Sequence, residues 1–189
     1  MSSRRLALAL PALLALAFAL PALSGHAAAS AADGLSYDDP GMHYRAPDGW
    51  QRIDLPKVAA DSDGPHPPAA EFFKDFSKGD RRAIVVQIEP YDGGLERLVS
   101  DQESELRRGD DTRINGEQRT TLANGMPAYW LCADQGSELA NLVRRCEYAV
   151  FDGQRSIVVV YVGRQGYFDA NEAKSALASL YVVLYPQGR

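Results

Sequence analysis

Histidine and cysteine are scarce in this 189-residue chain, with three of the first and two of the second. No Gly-x-Ser-x-Gly and no Ser-x-x-Lys occurs, so the two commonest arrangements for a nucleophilic serine are missing. His26 falls in a leading segment, His43 in a predicted strand and His66 in a proline-rich stretch, and an exposed imidazole accounts for the latter two. A serine triad therefore has few bases to draw on. No Cys-x-x-Cys is present, which removes the usual dithiol redox motif, and two distant thiols without neighbouring histidine make a poor zinc site. No repeat of 20–50 residues is visible, which excludes solenoids and propellers. Positive charge is also short, with 20 basic against 25 acidic residues and a net charge of −5. A chain of that sign repels phosphate backbones, so nucleic acid is excluded as an expected partner.

What is present starts with a leader. Arg4 and Arg5 precede a Leu/Ala run over residues 6–23, broken by Pro11 and Pro21 and followed by small residues through Ala32. This is the layout of a signal peptide spanning residues 1–29, with cleavage near 29–32, after Ala29 or Ala31. An uncleaved anchor is the alternative, since 18 residues approach the length of a span, but Pro21 and the small residues favour cleavage. The paired arginines leave Sec and twin-arginine export both open, with Sec the default. The expected product is periplasmic or secreted, meeting the membrane only through its export signal. Without residues 1–32 the chain keeps 18 basic and 25 acidic residues, a net charge of −7. In an oxidising compartment Cys132 and Cys146 are expected to form one structural disulfide, because Asp134-Gln135-Gly136-Ser137 lets the chain reverse between them.

The composition, 46% hydrophobic and 24% charged, is that of one ordinary globular domain, assigned to residues 33–189. Residues 42–45 and 50–53 read as two short strands about the turn Ala46-Pro47-Asp48-Gly49, a hairpin. Residues 57–69, with Pro65, Pro67 and Pro68, read as an exposed loop. Strands follow at 71–76 and 82–89, the second carrying a β-branched run expected to be buried on both faces. Leu95, Leu98, Val99, Gln102 and Leu106 fall at helical spacing and define a helix ending at Gly109. Four strands are predicted at 114–122, 127–133, 142–151 and 156–162, with turns at Asn124-Gly125 and Asp152-Gly153. Asp169 to Glu172 has capping-box spacing and opens a last helix with Ala173, Ala176, Leu177, Leu180 and Tyr181 on one face. The order predicts an α+β domain, an antiparallel sheet flanked by two main helices.

The run Tyr44-Arg45-Ala46-Pro47-Asp48-Gly49-Trp50, the strand at 83–88, Gly93-Gly94-Leu95 and Asn124-Gly125-Met126-Pro127-Ala128 resemble the Mog1/PsbP-like superfamily, including exported bacterial DUF1795 proteins. The resemblance covers most of residues 35–185. It implies an α/β/α sandwich and functions that are mostly non-enzymatic: assembly or stabilising subunits, binding of a small GTPase, or carriage of hydrophobic ligands. The superfamily shares no catalytic residues, so none is carried over.

No catalytic, cofactor or metal residue is assigned. Asp61-Ser62-Asp63-Gly64 echoes the start of a calcium loop but lacks its later ligands. Twenty-five acids allow many carboxylate pairs, yet spacing singles out none for glycoside hydrolysis. Tyr44, Trp50, Trp130 and His43 are the candidates for a pocket or surface, although core packing is the commoner fate of such aromatics. Arg144-Arg145 and Arg81-Arg82 read as solubilising charges at strand starts. The leading expectation is a non-catalytic accessory or binding protein that acts on an unknown protein or small ligand. The alternative is a periplasmic carrier of a lipid or other hydrophobic molecule. A hydrolase without a recognisable motif comes third.

Overall fold

A computed structural model of the chain describes residues 35–53, 68–75, 81–108, 111–136, 142–164, 166 and 168–185. The leader, His26, His66, Gly109 and the 61–64 motif lie outside the described residues. The elements run β1 (Ser36–Asp39), β2 (Met42–Arg45), β3 (Gln51–Ile53), β4 (Ala70–Asp75), β5 (Arg81–Pro90), α1 (Gly94–Arg108) and β6 (Thr112–Thr121). They continue with β7 (Pro127–Gln135), β8 (Val143–Phe151), β9 (Arg155–Arg164), α2 (Ala170–Leu177) and β10 (Tyr181–Val182).

Seven strands form one antiparallel sheet in the order β3-β4-β5-β9-β8-β7-β6. The centre of the sheet explains the valine run of β9. Ile157, Val159 and Tyr161 point to the face carrying α2, Val158, Val160 and Val162 to the face carrying α1, and all six are buried. Edge strand β6 has the opposite character, with polar residues along most of its length. A register shift between Ile114 and Gly116, together with Arg113, Glu117 and Arg119, discourages further strand pairing there.

One helix covers each face, as expected. α1 packs Leu98, Val99 and Leu106 against Tyr129, Leu131, Ala149, Val158 and Val160. α2 packs Ala173, Ala176 and Leu177 against the other face, in one core with Tyr44, Trp50, Phe72, Ile84 and Tyr161. Asp169 caps α2, its carboxylate accepting the amides of Asn171 at 2.8 Å and Glu172 at 3.2 Å. Glu172 itself turns to Lys74, Arg82 and Tyr161, so it serves the tertiary structure in addition to the cap.

The expected hairpin of residues 42–45 and 50–53 does not form, because its two strands belong to different sheets. β2 pairs with β1 and β10 in a separate three-stranded sheet, while β3 pairs with β4. Pro40-Gly41 makes the two-residue turn between β1 and β2, Gly41 taking φ +80°. Leu180 and Tyr181 do not continue the last helix. The chain leaves α2 after Leu177 and returns as β10, burying Leu180 and Val182.

Asp152 joins the two sheets. Its carboxylate accepts the amides of Gln154 (3.0 Å) and Arg155 (2.7 Å) in the β8–β9 turn, and the Arg155 Nε at 2.7 Å. Arg155 donates onward to Asp39 and to the Pro40 carbonyl at 2.6 Å, and its guanidinium lies 4.4 Å from the Tyr185 ring centre. Asp152 is fully buried, so Asp152→Ala is expected to cost about 2 kcal/mol. Urea denaturation checks this; a loss below about 0.5 kcal/mol would show that water replaces the carboxylate without penalty.

Candidate functional site

The four aromatic and histidine candidates do not converge. Tyr44 is fully buried, and its hydroxyl donates to the Ala176 carbonyl at 2.8 Å. Burial pushes its phenol well above the ordinary value, so it stays a neutral donor. Trp50 is also inside, packed edge-on against Tyr161 with ring centres 5.8 Å apart. Trp130 stacks obliquely on Tyr148 at 4.9 Å, one row from the disulfide. Tyr44 and Trp50 are thus core residues and present no surface, because both side chains pack into the α2-side core. Of the four, His43 is the one on display.

Cys132 and Cys146 form the expected disulfide, linking directly opposed residues of β7 and β8. Cys146 is buried in the α2-side core and Cys132 is half-buried beside it.

Two of the arginines read as surface charges are tied into the interior, since β5 and β8 are internal strands. Arg82 pairs with Glu172. Arg144 grips Asp134 with two bonds, 2.6 and 2.8 Å, which raise the guanidinium pKa further. Arg144 also lies 5.7 Å from the Phe168 ring, and Phe168 packs on Tyr161 at 5.3 Å. Lys74, Glu172, Arg82, Tyr161, Phe168, Arg144 and Asp134 thereby make a continuous band across the end of the sheet. A Cβ at Gly163 would make ordinary contacts with the band, 3.5 Å from Arg82 Cγ and 3.8 Å from Phe168 Cδ2. Each cation of the band is paired with an acid, which suits bracing strands.

Arg145, next to Arg144 and expected as an edge charge, departs furthest from that expectation. It is fully buried on the α1 face and pairs with Glu147, which is also fully buried. Strand alternation places them together, two residues apart, between the Leu131 and Val160 neighbours of Glu147 and the Ala133 and Val162 neighbours of Arg145.

A carboxyl pair lies at the rim of α1. Tyr129 donates to Glu117 at 2.5 Å, and Glu103 from α1 lies beside Glu117. Burial first, then the neighbouring Glu117 carboxylate, push Glu103 above its ordinary value of 4.5, with Arg107 opposing. The folded state therefore holds this proton more tightly than the unfolded chain. Stability is expected to fall as pH rises from about 4.5 through the raised value, and Glu103→Gln should flatten that decline. Urea midpoints across this range test it; superimposable profiles for the two proteins would refute the coupling.

The end of the small sheet carries the exposed large hydrophobic residues found among the described residues. β pairing aligns Asp38, His43 and Tyr181 in one row across it, with His43 Nδ1 2.6 Å from Asp38 Oδ1. Tyr181 is 48% exposed, and Val183 and Leu184, at 37% and 69%, complete the exposed large hydrophobics among the described residues. They fall within four consecutive positions, held by Val183 N–H to the Gly41 carbonyl at 2.9 Å. Neither this strip nor its strand is legible as a site in the sequence, where Tyr181 has helical spacing.

An antiparallel sheet with one helix on each face, joined on the α2 side by a small sheet formed by both ends of the domain, defines the Mog1/PsbP-like fold. The chain has that fold. It is similar to cyanobacterial PsbP (CyanoP) from Synechocystis sp. PCC 6803, with a TM-score of 0.52 and 14% identity over 82% of this chain and 98% of that one. It is also similar to LpqN, described as involved in cell envelope biogenesis of Mycobacterium tuberculosis, with a TM-score of 0.55 and 16% identity over 77% of this chain and 86% of the other. No protein-family model matches the chain, and no curated protein matches it by sequence.

Proposed function

We propose that this is an exported, non-catalytic accessory protein of the DUF1795 type, periplasmic or secreted, that binds a protein partner through the outer face of its small sheet. The strip of Tyr181, Val183 and Leu184 carries this reading. Single exposed apolar residues are ordinary on any protein, but Tyr181 in a row with His43 and Asp38, followed within three positions by Val183 and Leu184, combines an apolar contact with polar groups for register. Export is supported by the leader and by the disulfide, and no helix among the described residues is long and apolar enough to cross a membrane. The envelope role in LpqN's description is in keeping with such a location. The carrier reading is less favoured. Tyr44 and Phe72, Trp50 and Tyr161, and Tyr161 and Phe168 pack edge-on in the layer between sheet and α2 where its ligand would sit.

The test combines native mass spectrometry of periplasmically made protein with crosslinking in the envelope fraction. A protein crosslink that falls at least about tenfold in Tyr181→Ser/Leu184→Ser supports the reading, since truncating a few central residues removes most binding energy. A retained hydrophobic adduct with no such crosslink would replace it with the carrier.

A further inference from the structure

The two helices are fastened to the sheet in different ways. α2 presents a wholly apolar stripe, is bonded through its Ala176 carbonyl to Tyr44, and carries Glu172 between Lys74 and Arg82. α1 presents Leu98, Val99 and Leu106, interrupted by the buried amide of Gln102. Beneath it lie Arg145 and Glu147. Glu117, Leu131 and Glu147 form one cross-strand row on the face that α1 covers, and Glu103 of α1 lies beside Glu117. Arg145 Nε, Glu147 Oε1 and Gln102 Oε1 are all buried without a hydrogen-bond partner among the described residues. Ions and amides left in that state weaken the contact that buries them, because separation returns them to water. At the rim Tyr91 donates to Asp101 at 2.7 Å, Glu96 and Arg119 form an exposed pair at 2.6 Å, a class that contributes weakly, and Glu103 faces a second carboxyl. At the start of the helix Gly94 takes φ +75°, a backbone conformation that glycine adopts freely.

We infer that α1 is a hinged cover, which undocks as a unit about Gly94 while the sheet and α2 stay folded, uncovering the Arg145–Glu147 pair. This opening is independent of the small-sheet surface proposed above. Native-state hydrogen exchange on the full, oxidised chain tests it. Amides of α1 are expected to exchange at least about a hundredfold faster than those of β8 and β9, with one urea dependence shared along the helix and smaller than that of global unfolding. Arg145→Met/Glu147→Leu should slow α1 exchange at least about tenfold and leave α2 unchanged, since the opened state no longer gains hydration of two ions. Gln102→Leu, which leaves the sheet intact, should act in the same direction. Exchange of α1 in step with β8, or a rate in α1 that none of these substitutions slows, would overturn the inference.

Discussion

Glu147→Ala is expected to destabilise the protein by about 3–5 kcal/mol, the cost of leaving a buried guanidinium without its counter-ion. Arg145→Ala should do the same in mirror image, stranding the carboxylate. Both side chains are almost wholly removed from solvent, at 2% and 0% exposure, so water cannot stand in for the lost partner. The double substitution Arg145→Met/Glu147→Leu should cost little, or even stabilise, because each ion's desolvation vanishes with it and the neighbouring Leu131 and Val160 supply apolar contacts. Equilibrium urea unfolding of the three variants, each against the unchanged protein, checks these values. A double variant as unstable as either single one would mean that the pair contributes by its shape and not by its charge.

Removing the disulfide as Cys132→Ala/Cys146→Ala is expected to lower stability by about 3 kcal/mol, given the 14-residue separation it closes. Part of that stabilisation acts on the unfolded chain, part through the packing of Cys146 in the α2-side core. Cys146→Ser should be worse than the alanine change, since it buries a hydroxyl among apolar groups. With Cys146 buried, a small thiol reductant should reduce the bond slowly in native protein and quickly in urea. Urea midpoints and thiol release over time check both parts. A loss under about 1 kcal/mol would show that the opposed register of β7 and β8 already holds the two strands without the link.

Residue order alone specified the elements whose signal is periodic and local. The α1 stripe, the strand at 156–162, the Asp169 cap and the turn at Asp152-Gly153 are all readable, because each depends on neighbours within a few positions. The opposed cysteines are readable too, because a chain reversal stands between them. β1 and β10 are not. Ser-Tyr-Asp-Asp has little strand propensity, and it becomes a strand because β2 pairs with it and because Arg155, 116 residues away, reaches Asp39. Tyr181 has helical spacing, yet the chain turns after Leu177 so that Val182 completes the core beside Met42.

The candidate surface shares that origin. His43 was named from the sequence, but its row with Asp38 and Tyr181 exists only where both ends of the domain meet in one small sheet. The same holds for charge. Sequence counts an arginine as polar wherever it stands, so Arg144 and Arg145 look alike; alternation on an internal strand sends one to Asp134 near the surface and the other to Glu147 beneath α1. Composition, disulfide and fold class follow from short-range pattern. The sheet order, the strip at Tyr181 to Leu184 and the buried ion pair were decided by tertiary structure, since each depends on residues far apart in the chain burying or exposing one another.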